Sequence, residues 1–174
     1  MIMDHGYVHV YTGDGKGKTT AAVGLSVRAA GAGLRVFFGQ FMKNGDTGEL
    51  EALHLLGDRI TVEQFGTGSE LSAIDPAADA RAARAGLDRA RAVLFDGRCD
   101  VMVLDEANVA DSLDYFEPGA LLELVRERPE NVELVLTGRG AGEEVLAAAD
   151  LVTEMRAVKH YFNDGVVARR GIEF

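Results

Sequence analysis

The run Thr12-Gly13-Asp14-Gly15-Lys16-Gly17-Lys18-Thr19-Thr20 decides how the rest of the 174-residue chain is read. It follows a β-prone apolar stretch, Tyr7–Tyr11, and opens an Ala-rich stretch of helical character, Lys18–Ala32. Strand, glycine-rich loop and helix in that order are the context that the phosphate-binding pattern G-x-x-x-x-G-K-[ST] requires. Glycines let backbone N–H groups converge on phosphate oxygens, and the N-terminal end of the helix adds partial positive charge. Lys18 supplies a full charge, and the Thr19 hydroxyl is placed to ligate magnesium. One position departs from the pattern: Thr12 stands where the first glycine normally sits. A glycine-rich turn that binds nothing is the competing reading, and the presence of all three elements in sequence counts against it.

Outward from the loop, β-rich runs at 7–11, 35–41, 60–65, 100–105, 133–137 and 151–155 alternate with helical patterns at 18–32, 49–56, 76–95, 119–128 and 142–149. The longest helix has Asp75 placed as N-cap and Pro76 at its first position, a strong start signal. Val101–Leu104 and Val132–Leu136 are almost continuously apolar, as strands covered on both faces must be. The alternation predicts an α/β fold, a mainly parallel sheet flanked by helices with right-handed crossovers, over a single domain, 1–174.

The second half of a nucleotide site is an acidic residue closing a buried strand. Val101-Met102-Val103-Leu104-Asp105-Glu106 has that form, in which a carboxylate meets magnesium directly or through water. An Asp-Glu pair there can also cap the next element, and spacing does not separate Asp105 from Glu106. Paired with the loop, the metal reading is preferred.

Composition removes several classes. A net charge of -10 and a pI near 4.8 argue against nucleic-acid binding, which needs a basic face. Arg81, Arg84, Arg89 and Arg91 are interspersed with Asp79 and Asp88, the pattern of a solvated face. No apolar run reaches the roughly 18 residues of a membrane span, and Met1–Gly6 lacks a signal pattern, so a cytoplasmic protein without membrane attachment is expected. The single cysteine, Cys99, precedes an apolar run and reads as a small buried hydrophobe. Only four of the 18 basic residues are lysines: Lys16, Lys18, Lys43 and Lys159. Since arginine does not always replace a compact ammonium, those four are candidates for a site. His5, His9, His54 and His160 show no metal-ligand spacing, and no nucleophile or acid–base dyad stands out. The residues by themselves lead to a magnesium-nucleotide α/β domain of unspecified reaction.

Further motifs narrow it. Besides the loop, the chain carries Gln40-Phe41-Met42-Lys43, Phe65-Gly66-Thr67-Gly68, Val103-Leu104-Asp105-Glu106 and Thr137-Gly138-Arg139-Gly140. Glu154-Met155-Arg156-Ala157-Val158-Lys159-His160 and Gly171-Ile172-Glu173-Phe174 follow. In this order, over nearly the whole length, they closely resemble the P-loop ATP:corrinoid (cob(I)alamin) adenosyltransferases, and the altered first glycine is similar to that family too. The resemblance implies a dimeric, RecA-like P-loop NTPase fold. It implies ATP and magnesium on the loop, a reduced corrinoid as second substrate, and an electron donor such as a flavoprotein. On this reading Lys18, Thr19 and Glu106 are catalytic. Thr12, Gly13, Asp14, Gly15, Lys16, Gly17, Lys18, Thr19 and Thr20 hold the nucleotide, with Arg28 and Arg139 as further contacts that equally suit surface or packing roles. Thr19, Glu106 and Asp105 serve the metal, Glu106 reaching it and Asp105 anchoring the loop or a metal-bound water. Cobalt(I) is itself a strong nucleophile, so the missing dyad is expected: the substrate carries the hard step.

One departure stands out. Well-known members of the family have aromatics in the segment that here reads Ser69-Glu70-Leu71-Ser72-Ala73-Ile74-Asp75, where they help displace the lower ligand of the corrinoid. Without them the chain is expected to favour corrinoids lacking a lower nucleotide, unless Leu71, Ile74, Tyr161 or Phe162 substitutes. The runner-up reading is a nucleotide-binding regulatory P-loop ATPase. A nucleoside kinase lacks a lid or acceptor motif here, and charge disfavours a DNA-binding ATPase.

Overall fold

The computed structural model describes residues 3–45, 47–67 and 75–173. Six strands make one sheet: β1 (Val8–Thr12), β2 (Val36–Phe41), β3 (Ile60–Phe65), β4 (Val101–Asp105), β5 (Glu133–Thr137) and β6 (Leu151–Glu154). Their spatial order is β3-β2-β4-β5-β1-β6, and every pairing is parallel. The helices are α1 (Lys18–Gly31), α2 (Gly48–His54), α3 (Pro76–Phe95), α4 (Ala107–Ser112), α5 (Ala120–Glu127) and α6 (Glu143–Ala148), with short 3-10 turns at Gly57–Arg59 and Tyr161–Asp164. The segment 69–74, on which the lower-ligand expectation rests, lies outside the described residues, as do Gly68 and Phe174.

Strand alternation explains why β4 reads as one apolar run. Met102 and Leu104 join the core on one face, with α3, α4 and α5; Val101 and Val103 join the other, with α1 and α2. Both faces are covered, so no position tolerates water. On α1 the sheet-facing residues are small, Ala22, Ser26 and Ala29 at helical spacing, which lets the helix lie close to the strands. The Asp75 carboxylate accepts from the N–H groups of Ala77 (3.0 Å) and Ala78 (3.1 Å), the cap expected for α3. On the outer face of α3, Arg89 pairs with Glu63 and Arg91 with Glu127, so these arginines are solvated ion pairs. Helix α4 has no clear sequence signal: six residues are too few to show a period, and burial of Ala107, Asn108 and Ala110 holds it.

The amino-terminal ends of β2 and β4 are tied by one side chain. Asp100 accepts from the backbone N–H of Arg35 (2.8 Å) and from both arms of its guanidinium (3.2 and 2.9 Å). The Arg35 hydrogen bonds hold the Asp100 carboxyl below the usual carboxylate range. Asp100→Ala is expected to cost about 2 kcal/mol, since hydrogen bonds to a charged group are lost. In a domain of this size that lowers the melting temperature by roughly 4–8 °C, checked by thermal unfolding. Because the folded-state pKa is depressed, this contribution is present above the ordinary aspartate range and fades as pH falls through the lowered value, so wild type and variant converge in acid.

Candidate functional site

Strands β1 and β4 end at the same edge of the sheet with β5 between them, so the glycine-rich loop and the acidic pair face one crevice at the carboxyl ends. Thr12 is the last residue of β1, paired with Glu154 in β6. It sits in the strand and needs no positive φ, which is why a side chain is accepted at the first glycine position. Gly13 differs: its φ is 92°, and a Cβ there would lie 2.5 Å from the Met155 carbonyl oxygen. At Gly15 a Cβ would come within 2.6 Å of the same atom. The Gly15 N–H donates to Met155 O (2.6 Å), and Met155 N–H donates to Thr12 O (2.8 Å). The loop is thus stitched to the segment after β6.

Lys18 is buried, its ammonium donating to the carbonyls of Gly13 (2.7 Å) and Gly15 (2.8 Å). Burial, with the positive charge of Arg139, pulls its pKa below the usual lysine value. The Thr19 hydroxyl donates to Asp105 Oδ1 at 2.8 Å, and Thr137 donates to the same oxygen at 2.7 Å. Asp105 is fully enclosed, and its Oδ2 accepts from Gln40 (3.3 Å) and Lys43 (3.1 Å). Burial draws the Lys43 pKa down, but Asp105 and Glu49 outweigh it and hold the ammonium above its ordinary value. Asp105 therefore receives four donors and anchors three elements at once.

Glu106 behaves oppositely. It adopts a left-handed conformation (φ 60°) at the start of α4, fixed by its N–H donating to Thr137 Oγ1 (3.0 Å). Its carboxylate faces a cavity of about 590 Å³ without a hydrogen-bond or ion-pair partner among the described residues. Burial and the adjacent Asp105 charge push its carboxyl above the ordinary glutamate value. Asp14–Thr20, Lys43, Glu49, Arg139 and His160 line the same cavity.

The residues singled out from sequence are not all brought together. Asp14 through Thr20 line the cavity, whereas Thr12, in β1, and Gly13, whose carbonyl accepts from Lys18, are not among the residues around it. Arg139 lies at the mouth, 4.0 Å from Asp14. Arg28, in the exposed last turn of α1, is not among the residues around the cavity. Conversely, Gln40 and Thr137 belong to motifs read without a role, Lys43 is marked only as one of four candidate lysines, and Glu49 carries no signal at all. The tail, marked in the sequence only by the motif Gly171-Ile172-Glu173-Phe174, meets the loop: Lys16 donates to Ile172 O (2.6 Å) and pairs with Glu173. Hydrogen bonds from Tyr161, then Arg169, hold the Glu173 carboxyl down to about 2.

The arrangement is an anion cradle beside a free carboxylate. The Thr19 hydroxyl and the Glu106 and Asp105 carboxylates are hard oxygen donors of the kind magnesium takes, and the unpartnered Glu106 carboxylate fits such an ion.

Comparison with known proteins agrees with this chemistry. The family described as "ATP:corrinoid adenosyltransferase BtuR/CobO/CobP" matches residues 4–174. The "Corrinoid adenosyltransferase" of Escherichia coli is 36% identical over 172 residues, covering 98% of this chain and 87% of the relative. That of Pseudomonas aeruginosa is 36% identical with coverage of 98% and 85%, and "Corrinoid adenosyltransferase CobA" of Salmonella typhimurium is 36% identical with coverage of 98% and 87%. The chain belongs to the ATP:corrinoid adenosyltransferase family.

Proposed function

We propose that the chain transfers the 5′-deoxyadenosyl group of ATP to the cobalt(I) of a corrinoid and releases triphosphate. The observation that carries this reading is the pairing, in one cavity, of a lysine-centred anion cradle with one free carboxylate. In the reaction the cobalt(I) lone pair attacks the 5′-carbon, the carbon–oxygen bond breaks, and its electrons leave with the triphosphate. No proton moves, so no general base is required.

The protein's part is to position the 5′-carbon and to stabilise the departing charge. Lys18 exchanges the Gly13 and Gly15 carbonyls for phosphate oxygens, and the loop N–H groups add donors. Thr19 and Glu106 would hold magnesium, with Asp105 fixing the Thr19 hydroxyl. Bound there, magnesium supplies positive charge to the triphosphate. The family likeness supports a homodimer working in the cytoplasm, with cobalt(II) reduced by an electron donor such as a flavoprotein. No helix among the described residues is long and apolar enough to cross a membrane.

The test is anaerobic incubation with ATP, magnesium and chemically reduced corrinoid. Growth of a light-sensitive cobalt–carbon spectrum together with intact triphosphate supports the reading. Orthophosphate release without corrinoid supports the regulatory ATPase instead. A second measurement addresses the corrinoid. Tyr161 is engaged by Glu173 and lies 4.9 Å below the Arg169 guanidinium, whereas Phe162 is 71% exposed. We expect kcat/KM for cob(II)inamide to exceed that for cob(II)alamin by about tenfold with one common reductant, a difference of about 1.4 kcal/mol. Equal efficiencies would assign a displacing role to Leu71, Ile74 or Phe162.

A further inference from the structure

Two non-glycine residues with positive φ, Met42 (61°) and Glu106 (60°), stand immediately past the ends of the adjacent strands β2 and β4. Such backbone is costly and persists only where the surroundings over-determine it. Here the two turns deliver Lys43 and the Glu106 carboxylate to the same cavity. The Lys43 ammonium donates to Asp105 Oδ2 (3.1 Å) and to Glu49 Oε1 (3.3 Å). The Gln40 amide donates to the same two oxygens, at 3.3 and 3.0 Å. One ammonium and one amide therefore close a four-membered ring with two carboxylates. Gln64 fixes the amide from behind, its own Nε2 donating to Gln40 Oε1 at 3.1 Å.

Lys43 sits where one Asp105 oxygen and one Glu49 oxygen converge, so an ion taking its place would meet two hard-oxygen donors. No group of three acidic, histidine or cysteine side chains among the described residues is arranged to hold a metal, so a complete shell needs oxygens from elsewhere. We propose that Lys43 is a resident cation, a positioning residue that occupies the Asp105 and Glu49 oxygens so that a divalent metal enters only in company with nucleotide phosphates. The proposal rests on the reading of this cavity as a magnesium-nucleotide site. An ammonium and a metal compete for the same lone pairs, and both oxygens of Asp105 are already committed, Oδ1 to Thr19 and Thr137, Oδ2 to Gln40 and Lys43. Glu106 is left as the carboxylate with oxygens to spare, and phosphate oxygens must complete the shell. The metal then arrives with ATP and leaves with triphosphate, and Lys43 keeps the emptied site from retaining it.

Manganese, followed as free ion by electron paramagnetic resonance, tests this without turnover. The wild-type protein should bind Mn²⁺ weakly alone and far more tightly with ATP in the absence of corrinoid. Lys43→Met should raise affinity without nucleotide by about tenfold or more, because a positive charge within contact distance of the ion is gone. Lys43→Gln, which keeps a neutral donor in the ring, serves should the methionine variant fail to fold, and should show the same gain. Lys43→Arg should bind as weakly as wild type, and adding Glu49→Gln to the methionine variant should abolish the gain. Unchanged affinity in the folded neutral variants, or tight Mn²⁺ binding by wild type without nucleotide, overturns the proposal. Failure of wild type to bind Mn²⁺ even with ATP instead removes the magnesium-nucleotide reading beneath it.

Discussion

Lys18→Ala is expected to lower turnover by about 10²–10³-fold at saturating ATP, the scale of losing one preorganised charge stabiliser. The side chain is buried and already lies across the Gly13 and Gly15 carbonyls, so its position is set before phosphate arrives. Preorganisation of this kind acts on the leaving triphosphate, whose negative charge is greater in the transition state than in bound ATP. The loss should therefore appear mainly in kcat. Two carbonyls lose a donor in the variant, which costs about 1 kcal/mol each, so melting should fall by roughly 4–8 °C and leave the variant folded at assay temperature. A variant that keeps near-normal turnover would remove Lys18 from its role. One that loses activity only by unfolding would leave that role unsupported. Thr19→Ala, by contrast, should raise the magnesium requirement more than the ATP requirement.

The second large effect separates the acidic pair. Asp105 accepts four hydrogen bonds from Thr19, Thr137, Gln40 and Lys43. An asparagine offers one oxygen and one NH₂ there, so one side of the residue sets donor against donor, with Lys43 losing a counter-charge. Asp105→Asn is expected to cost about 3 kcal/mol in stability, in the range for breaking a buried pair, and its activity loss should resist added magnesium. Glu106 makes no comparable contacts, and ionising it against burial and Asp105 is unfavourable. Its folded-state pKa is raised, so the stability it contributes is present at low pH and lost as pH rises through the raised value. Glu106→Gln should thus melt at or above wild type at neutral pH, yet lose turnover that raised magnesium partly restores. Magnesium rescue of Asp105→Asn and not of Glu106→Gln would reverse the assignment.

The sequence by itself determined the parts whose chemistry is local. Glycines 13 and 15, Lys18 and Thr19 declare a phosphate loop because few other residues allow that backbone or supply that charge. Continuous apolar runs in β4 and β5 declare a parallel sheet because both faces need cover, and Asp75-Pro76 declares a helix start because the cap is made within three residues. Six parallel strands with these boundaries, within a residue or two, follow from such short-range rules. What only the tertiary structure decided depends on approach across the chain. That Asp105 is a saturated anchor and Glu106 a free carboxylate turns on Thr137, Gln40 and Lys43, each more than 30 residues away. Glu49 looks like any surface acid until α2 is folded beside Gln40 and Lys43, and the motif that holds Glu173 names no partner for it until the tail meets Lys16. Arg28, three turns along α1, shows the converse: its sequence distance from the loop is short, but the rise of the helix carries it away. Hydrogen bonds reach about 3 Å, and only packing brings atoms from separate elements within that distance.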